Sequence, residues 1–119
     1  MEIYKEFTFE AETDLSHQIG RADTDGWSAN TNDDYAEYMT YGPYTSEIPP
    51  GENTAVFRLM VDNNDFDNLN VVKIDVHDFT DGTILAEKTI TRQEFDDVFA
   101  YQDFNLTFTS IAGHELEFR

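Results

Sequence analysis

Apolar and polar residues alternate with a period of two along much of the chain. The clearest run covers residues 54–62, in which Phe57 and Leu59 fall on one face and Arg58 falls on the other. Because successive side chains of a β-strand point to opposite faces, this period predicts a strand with one buried face. The same alternation predicts further strands over residues 3–11, 37–41, 71–76, 84–90, 101–109 and 114–119.

Turn-forming residues separate these runs. Asp81-Gly82 predicts a hairpin turn, because this dipeptide tolerates the left-handed backbone conformation. Thr91 and Glu94 have the spacing of a capping box, which predicts a short helical turn within residues 92–98. Residues 20–34 are rich in Asp, Asn and Gly and are predicted to be a loop. Seven or eight short strands with almost no helix predict an all-β fold, an antiparallel β-sandwich that fills residues 1–119 as a single domain.

The net charge of the chain limits the classes of molecule that it is expected to bind. The chain of 119 residues has 25 acidic and 7 basic residues, a net charge of -18. So negative a protein is not expected to bind nucleic acid or an anionic membrane surface. No apolar run is long enough to insert across a bilayer. The acidic residues are spread over the whole chain, as in salt-adapted proteins, so a halophilic source and an ordinary acidic extracellular domain both remain open.

The segment 20–45, here called the aromatic segment, holds the only tryptophan and four of the six tyrosines among many Asp, Asn and Gly residues. Its rings either close the end of a core or form an exposed platform. Flat rings beside carboxylate and guanidinium groups suit a sugar, whose C–H faces stack while its hydroxyls accept and donate hydrogen bonds. The candidate ligand-binding residues are Trp27, Tyr35 and Tyr38 for stacking, and Arg21 and Asp25 for polar contacts. Arg21 is equally well explained as an ion-pair partner.

Catalytic and metal motifs are weak by comparison. The three histidines, His17, His77 and His114, are far apart in sequence and belong to no catalytic motif, and His77 is predicted to lie on the surface. Carboxylates are so frequent that pairs of them carry no information about glycosidase chemistry. The Asp23–Asp25 region also lacks the ligand spacing of an EF-hand. The sequence therefore predicts a protein that is not an enzyme.

Three short motifs resemble carbohydrate-binding modules of families 6 and 35. They are Phe9-Glu10-Ala11-Glu12 near the first predicted strand, Ile48-Pro49-Pro50-Gly51 followed by Ala55-Val56-Phe57-Arg58-Leu59, and the closing Glu115-Leu116-Glu117-Phe118-Arg119. The resemblance implies a jelly-roll sandwich and a structural calcium ion held by Glu10 and Glu12. It also implies a secreted or cell-surface protein, attached to a glycoside hydrolase or to other extracellular modules.

Two functions follow as expectations. The first is non-catalytic binding of a poly- or oligosaccharide through the aromatic segment. The alternative is a structural or adhesion β-sandwich of an extracellular assembly, stabilised by calcium or salt and without a sugar site. A buried Trp27 would favour the alternative, because a buried ring offers no stacking surface to a sugar and Trp is mostly buried in folded domains.

Overall fold

The structure, a computed structural model, describes residues 6–24 and 26–119. Two compact units divide the chain, Met1–Pro43 and Tyr44–Arg119, and each is described by itself. All strands within the described ranges pair antiparallel where their register is defined, so the fold is all-β as the alternation predicts. In the same ranges no helix has the length and apolar character needed to cross a bilayer.

Eight strands and one 3-10 helix occur in the described residues. The strands are β1 (Arg21–Asp23), β2 (Gly26–Ser28), β3 (Pro43–Thr45), β4 (Gly51–Leu59), β5 (Asn70–Asp78), β6 (Thr83–Thr91), β7 (Gln102–Ser110) and β8 (Leu116–Phe118). The 3-10 helix is Arg92–Glu94, which confirms the predicted helical turn in a shorter form. Glu94 Oε2 accepts a hydrogen bond from the backbone N–H of Thr91 at 2.7 Å, as a capping box requires.

The second unit has a sandwich-like arrangement of two sheets. One sheet has the order β3-β8-β5-β6, and the other pairs β4 with β7. Side chains of both sheets form one core, because alternate residues of each strand turn inward. The buried apolar residues are Ile74, Val76, Ile90, Phe95, Phe104, Leu106, Phe108 and Leu116. This arrangement fits a β-sandwich, whereas the jelly-roll topology stays a prediction.

The pairing of the long strands follows two patterns. β5 and β6 form a local hairpin closed by the predicted Asp-Gly turn, where the backbone N–H of Gly82 donates to the carbonyl of Asp78 at 2.8 Å. A bulge between Val76 and His77 interrupts their register. β4 and β7 instead pair across a long stretch of chain, with Gly51 opposite Ser110 and Leu59 opposite Gln102.

Three predictions of local structure in the first unit are wrong. In residues 6–11, the described part of the predicted strand 3–11, the chain is irregular up to Glu10 and enters a turn at Ala11, where the Asp14 side chain accepts a hydrogen bond from the backbone N–H of Glu10 at 2.8 Å. Such a bond competes with strand pairing. Residues 37–41 make one isolated bridge, Ser16 to Tyr41, instead of a strand. The predicted loop 20–34 contains the β1–β2 hairpin, in which Ala22 faces Trp27.

Buried acidic side chains join β5 to the C-terminal part of the chain. Asp75 is 6% exposed and accepts two hydrogen bonds from the guanidinium of Arg119, at 2.9 and 2.7 Å. His77 Nδ1 lies 2.8 Å from Glu117 Oε1. The prediction that His77 is a surface residue is wrong, because its pairing with Glu117 across β5 and β8 leaves its side chain only 17% exposed.

Candidate functional site

Trp27 is held in place by the chain around it. Its ring stacks on the imidazole of His17, with the ring centroids 3.6 Å apart and the planes 8° from parallel. Its Nε1–H donates to the carbonyl of Ile19 at 2.7 Å, and the residue is half-buried. One face of the indole is therefore covered by protein, so a ligand can stack only on the opposite face.

Gly20 allows this close approach. Its backbone has a φ of +94°, and a Cβ atom at this position would lie 2.6 Å from Trp27 Nε1 and would also overlap the carbonyl oxygen of Ser28. A residue with a side chain would have to push the indole away from the Ile19 carbonyl. The absence of a side chain at Gly20 is thus what lets the backbone of residues 19–21 pack against Trp27.

Arg21 is ion-paired to Asp34. Arg21 Nη2 lies 2.6 Å from Asp34 Oδ2, and the side chains are 42% and 10% exposed. Asp34 also accepts hydrogen bonds from the backbone N–H groups of Asn30, at 2.8 Å, and Gly20, at 3.1 Å. The bond from Asn30, followed by the bond from Arg21, lowers the pKa of Asp34, and Asp34 in turn raises the pKa of Arg21. Asp34 therefore organises the loop and fixes the position of a partly accessible guanidinium.

Two tyrosines of the aromatic segment expose their rings. Tyr35, which directly follows Asp34, is 71% exposed, and Tyr38 is 40% exposed. The backbone carbonyl of Tyr38 accepts hydrogen bonds from the N–H groups of Gln18, at 3.0 Å, and Ile19, at 3.3 Å. These bonds hold the Tyr38 backbone against residues 18–19, and the carbonyl of Ile19 in this segment also accepts the hydrogen bond from the Trp27 indole.

Hydrogen bonds link the chain around three of the five predicted ligand-binding residues, because Ile19 bonds both the Trp27 indole and the Tyr38 carbonyl, while Asp34 bonds both Gly20 and Arg21. The fourth, Tyr35, directly follows Asp34 in the chain. The fifth, Asp25, lies outside the described residues. The sequence did not indicate two organising groups, the His17 ring and the Ile19 carbonyl. Asp34 is one of several Asp and Asn residues in the run 30–34, and nothing in its spacing singles it out.

The predicted calcium ligands Glu10 and Glu12 belong to the first unit, whereas the cluster of possible metal ligands that the structure describes belongs to the second. Glu10 is exposed and Glu12 is half-buried. Among residues 6–24 and 26–119, the group of three or more ligating side chains with mutually close donor atoms is Asp78, Asp81 and His114, in the second unit. Glu10 and Glu12 gain no third carboxylate or histidine at that spacing from the described part of the chain.

Comparison with known proteins identifies no similar protein from which a function could be inferred. The chain matches no protein-family model, no curated protein and no solved structure. The site in the first unit therefore rests on its own geometry, which is a fixed indole, a fixed guanidinium and two exposed phenol rings.

Proposed function

We propose that this chain is a non-catalytic carbohydrate-binding module. The observation that supports the proposal is the exposure of Tyr35 and Tyr38, which follow closely in the chain after Asp34, the carboxylate that holds the Arg21 guanidinium in place. A sugar stacks its C–H groups on an aromatic ring while a charged hydrogen-bonding group binds its hydroxyls. Because Asp34 fixes Arg21 before a ligand arrives, less side-chain freedom is lost on binding.

The rings have different roles in this proposal. Tyr35 and Tyr38 provide the stacking surface, since they are the more exposed rings. Trp27 supports the loop through His17 and Ile19 and offers at most its uncovered face. Trp27 then reports on ligand binding at the adjacent residues even where it makes no direct contact.

One observation favours the alternative function, a structural or adhesion module without a sugar site. Trp27 is secured by both its ring face and its Nε1–H, as is typical of a residue that stabilises a loop. In that case the exposed tyrosines would have no glycan ligand. The two functions make opposite predictions for a glycan titration.

In the favoured function the protein is secreted or displayed at the cell surface, next to a glycoside hydrolase or other extracellular modules. Binding to a polysaccharide raises the local concentration of the attached enzyme, which is an effect of multivalency and needs no catalysis by the module. Calcium at Glu10 and Glu12 would stabilise the fold without touching the sugar. Thermal unfolding with calcium and with a chelator tests this part separately, since Glu10→Gln should abolish any calcium-dependent stabilisation.

The test is a titration of the whole chain with a panel of poly- and oligosaccharides, followed by calorimetry and by Trp27 fluorescence. Tyr35→Ala and Tyr38→Ala should each weaken binding of the responding glycan by about tenfold, as expected for an exposed ring that anchors a ligand. Tyr101→Ala is the matched control, because Tyr101 is 43% exposed and lies in the second unit. The absence of any saturable glycan response, or an equal effect of all three substitutions, would refute the proposal and favour the structural role.

A further inference from the structure

Asp78, Asp81 and His114 form a compact cluster in the second unit. Asp78 ends β5, Asp81 lies in the β5–β6 turn, and His114 precedes β8. His114 Nδ1 lies 2.7 Å from Asp78 Oδ2 and 3.8 Å from Asp81 Oδ2. The donor atoms of all three side chains lie within 4.8 Å of one another.

The backbone holds the cluster in shape. Asp78 Oδ1 accepts a hydrogen bond from the backbone N–H of Asp81 at 3.0 Å. The β5–β6 turn is joined to the residues just before β8 by two hydrogen bonds. The Phe79 N–H donates to the Glu115 carbonyl and the Glu115 N–H donates to Thr80 Oγ1, both at 2.9 Å. Backbone N–H groups therefore hold the Asp78 side chain and the segment beside His114 in place, so a ligand would not need to order them.

We propose that this cluster is a binding site for a divalent metal ion of the zinc class. A zinc ion bonds imidazole nitrogen and carboxylate oxygen at about 2.0–2.2 Å, which places neighbouring donors of a tetrahedron about 3.4 Å apart. The two measured separations from His114 Nδ1, 2.7 and 3.8 Å, lie on either side of that value. Small side-chain movements would bring the three donors to equal distances around an ion.

The chemistry of the donors selects the class of metal. An imidazole nitrogen with two carboxylates suits zinc and its transition-metal neighbours, whereas calcium prefers six to eight oxygen donors. Three protein ligands leave at least one position for water or for an external group. Asp78 is fully buried while the Asp81 side chain is 49% exposed, so Asp81 lies on the side from which an ion can enter. This proposal concerns the second unit and does not depend on sugar binding.

Protons compete with the metal at this site. In the free protein the bond from His114 Nδ1 to Asp78 Oδ2 requires a proton on one of these atoms. A metal bound to Nδ1 needs the lone pair there, so that proton must move to Nε2 or leave the site. Zinc affinity is therefore expected to fall as the pH is lowered.

The test is calorimetric titration of the whole chain with zinc chloride, and separately with calcium chloride, at about pH 7.5 and about pH 6. We expect saturable binding of one zinc ion at the higher pH, weaker zinc binding at the lower pH, and weaker binding of calcium at the same site. Asp81→Asn should weaken zinc binding by more than roughly tenfold, because replacing a residue that only orients a metal ligand already costs at least that much affinity. The fold should survive, because Asp81 is exposed and only its backbone bonds Asp78.

The matched control is His77→Gln, because His77 pairs with one carboxylate, Glu117, in the same sheet. His77→Gln should leave zinc affinity unchanged, and so should His17→Gln. Zinc should also shift the imidazole NMR signals of His114 and not those of His77. The proposal is overturned if zinc fails to bind, if Asp81→Asn binds it as well as the original protein, or if either control substitution removes binding.

Discussion

Replacing Gly20 by alanine tests the architecture of the aromatic segment directly. The new Cβ would lie 2.6 Å from Trp27 Nε1, and the backbone at this position has a φ of +94°. The indole must therefore move or the backbone must leave its conformation. Either change breaks the bond from Trp27 Nε1 to the carbonyl of Ile19.

The expected cost is the sum of two effects. A left-handed backbone costs a residue with a side chain about 1–2 kcal/mol relative to glycine. Loss of a hydrogen bond from a half-buried indole costs about 1 kcal/mol more. Gly20→Ala should thus lower the free energy of unfolding by about 2–3 kcal/mol, plus any loss of the stack between His17 and Trp27.

Trp27 itself supplies the assay. In Gly20→Ala its emission should shift to the red and become more accessible to a neutral quencher, while urea unfolding followed by circular dichroism gives the change in stability. Gly51→Ala is the matched control, since its φ is +101° but a Cβ there would meet no atom within 4 Å. It should cost only the backbone strain and leave the emission unchanged. Unaltered emission in Gly20→Ala, with a stability loss no larger than that of Gly51→Ala, would refute this description of the segment.

Two further predictions concern ionised groups. Asp75→Ala removes the carboxylate that Arg119 contacts twice. It should lower the free energy of unfolding by about 3 kcal/mol, the lower end of the range for breaking a buried ion pair. A loss below about 1 kcal/mol in urea unfolding, as is typical of exposed pairs, would contradict this prediction. The pKa of Asp34 is lowered by the Asn30 N–H and by Arg21, so its stabilisation should be complete above its ordinary pKa of about 4 and lost as the pH falls through the lowered value. Acid unfolding should lose that part of its pH dependence in Asp34→Asn, and an unchanged profile would show that Asp34 contributes nothing.

The second unit could be predicted well from the sequence because its signals are local. Alternation in residues 101–109 corresponds to β7, in which Phe104, Leu106 and Phe108 are buried. The Asp-Gly turn and the capping box depend on chemistry within four or five residues. Each of these features forms wherever its own short stretch of sequence is compatible with the surrounding fold.

Features that depend on distant partners could not be predicted. The burial of Asp75 and Asp78 has no local signal, because charged residues are rarely fully buried unless they are paired. Their partners, Arg119 and His114, are 44 and 36 positions away in the chain, so no local pattern indicates the pairs. The same holds for the candidate site, since the His17 ring reaches Trp27 only after the β1–β2 hairpin folds back. The residue types of the site were predictable, but the groups that fix them in place were not.

The pairing of β4 with β7 has a consequence for the order of folding. β5 and β6 are neighbours in sequence, whereas β4 and β7 enclose both of them along the chain and bring Gly51 opposite Ser110. Closing a long loop costs more chain entropy than closing a short one, so the β5–β6 hairpin is expected to form first and the β4–β7 pair to close over it. Destabilising substitutions in β5 or β6 should then slow refolding in stopped-flow experiments, and those in β4 should mainly accelerate unfolding. If substitutions in β4 instead slow refolding and those in β5 or β6 mainly accelerate unfolding, the folding nucleus lies in β4 and β7, and the β5–β6 hairpin forms last.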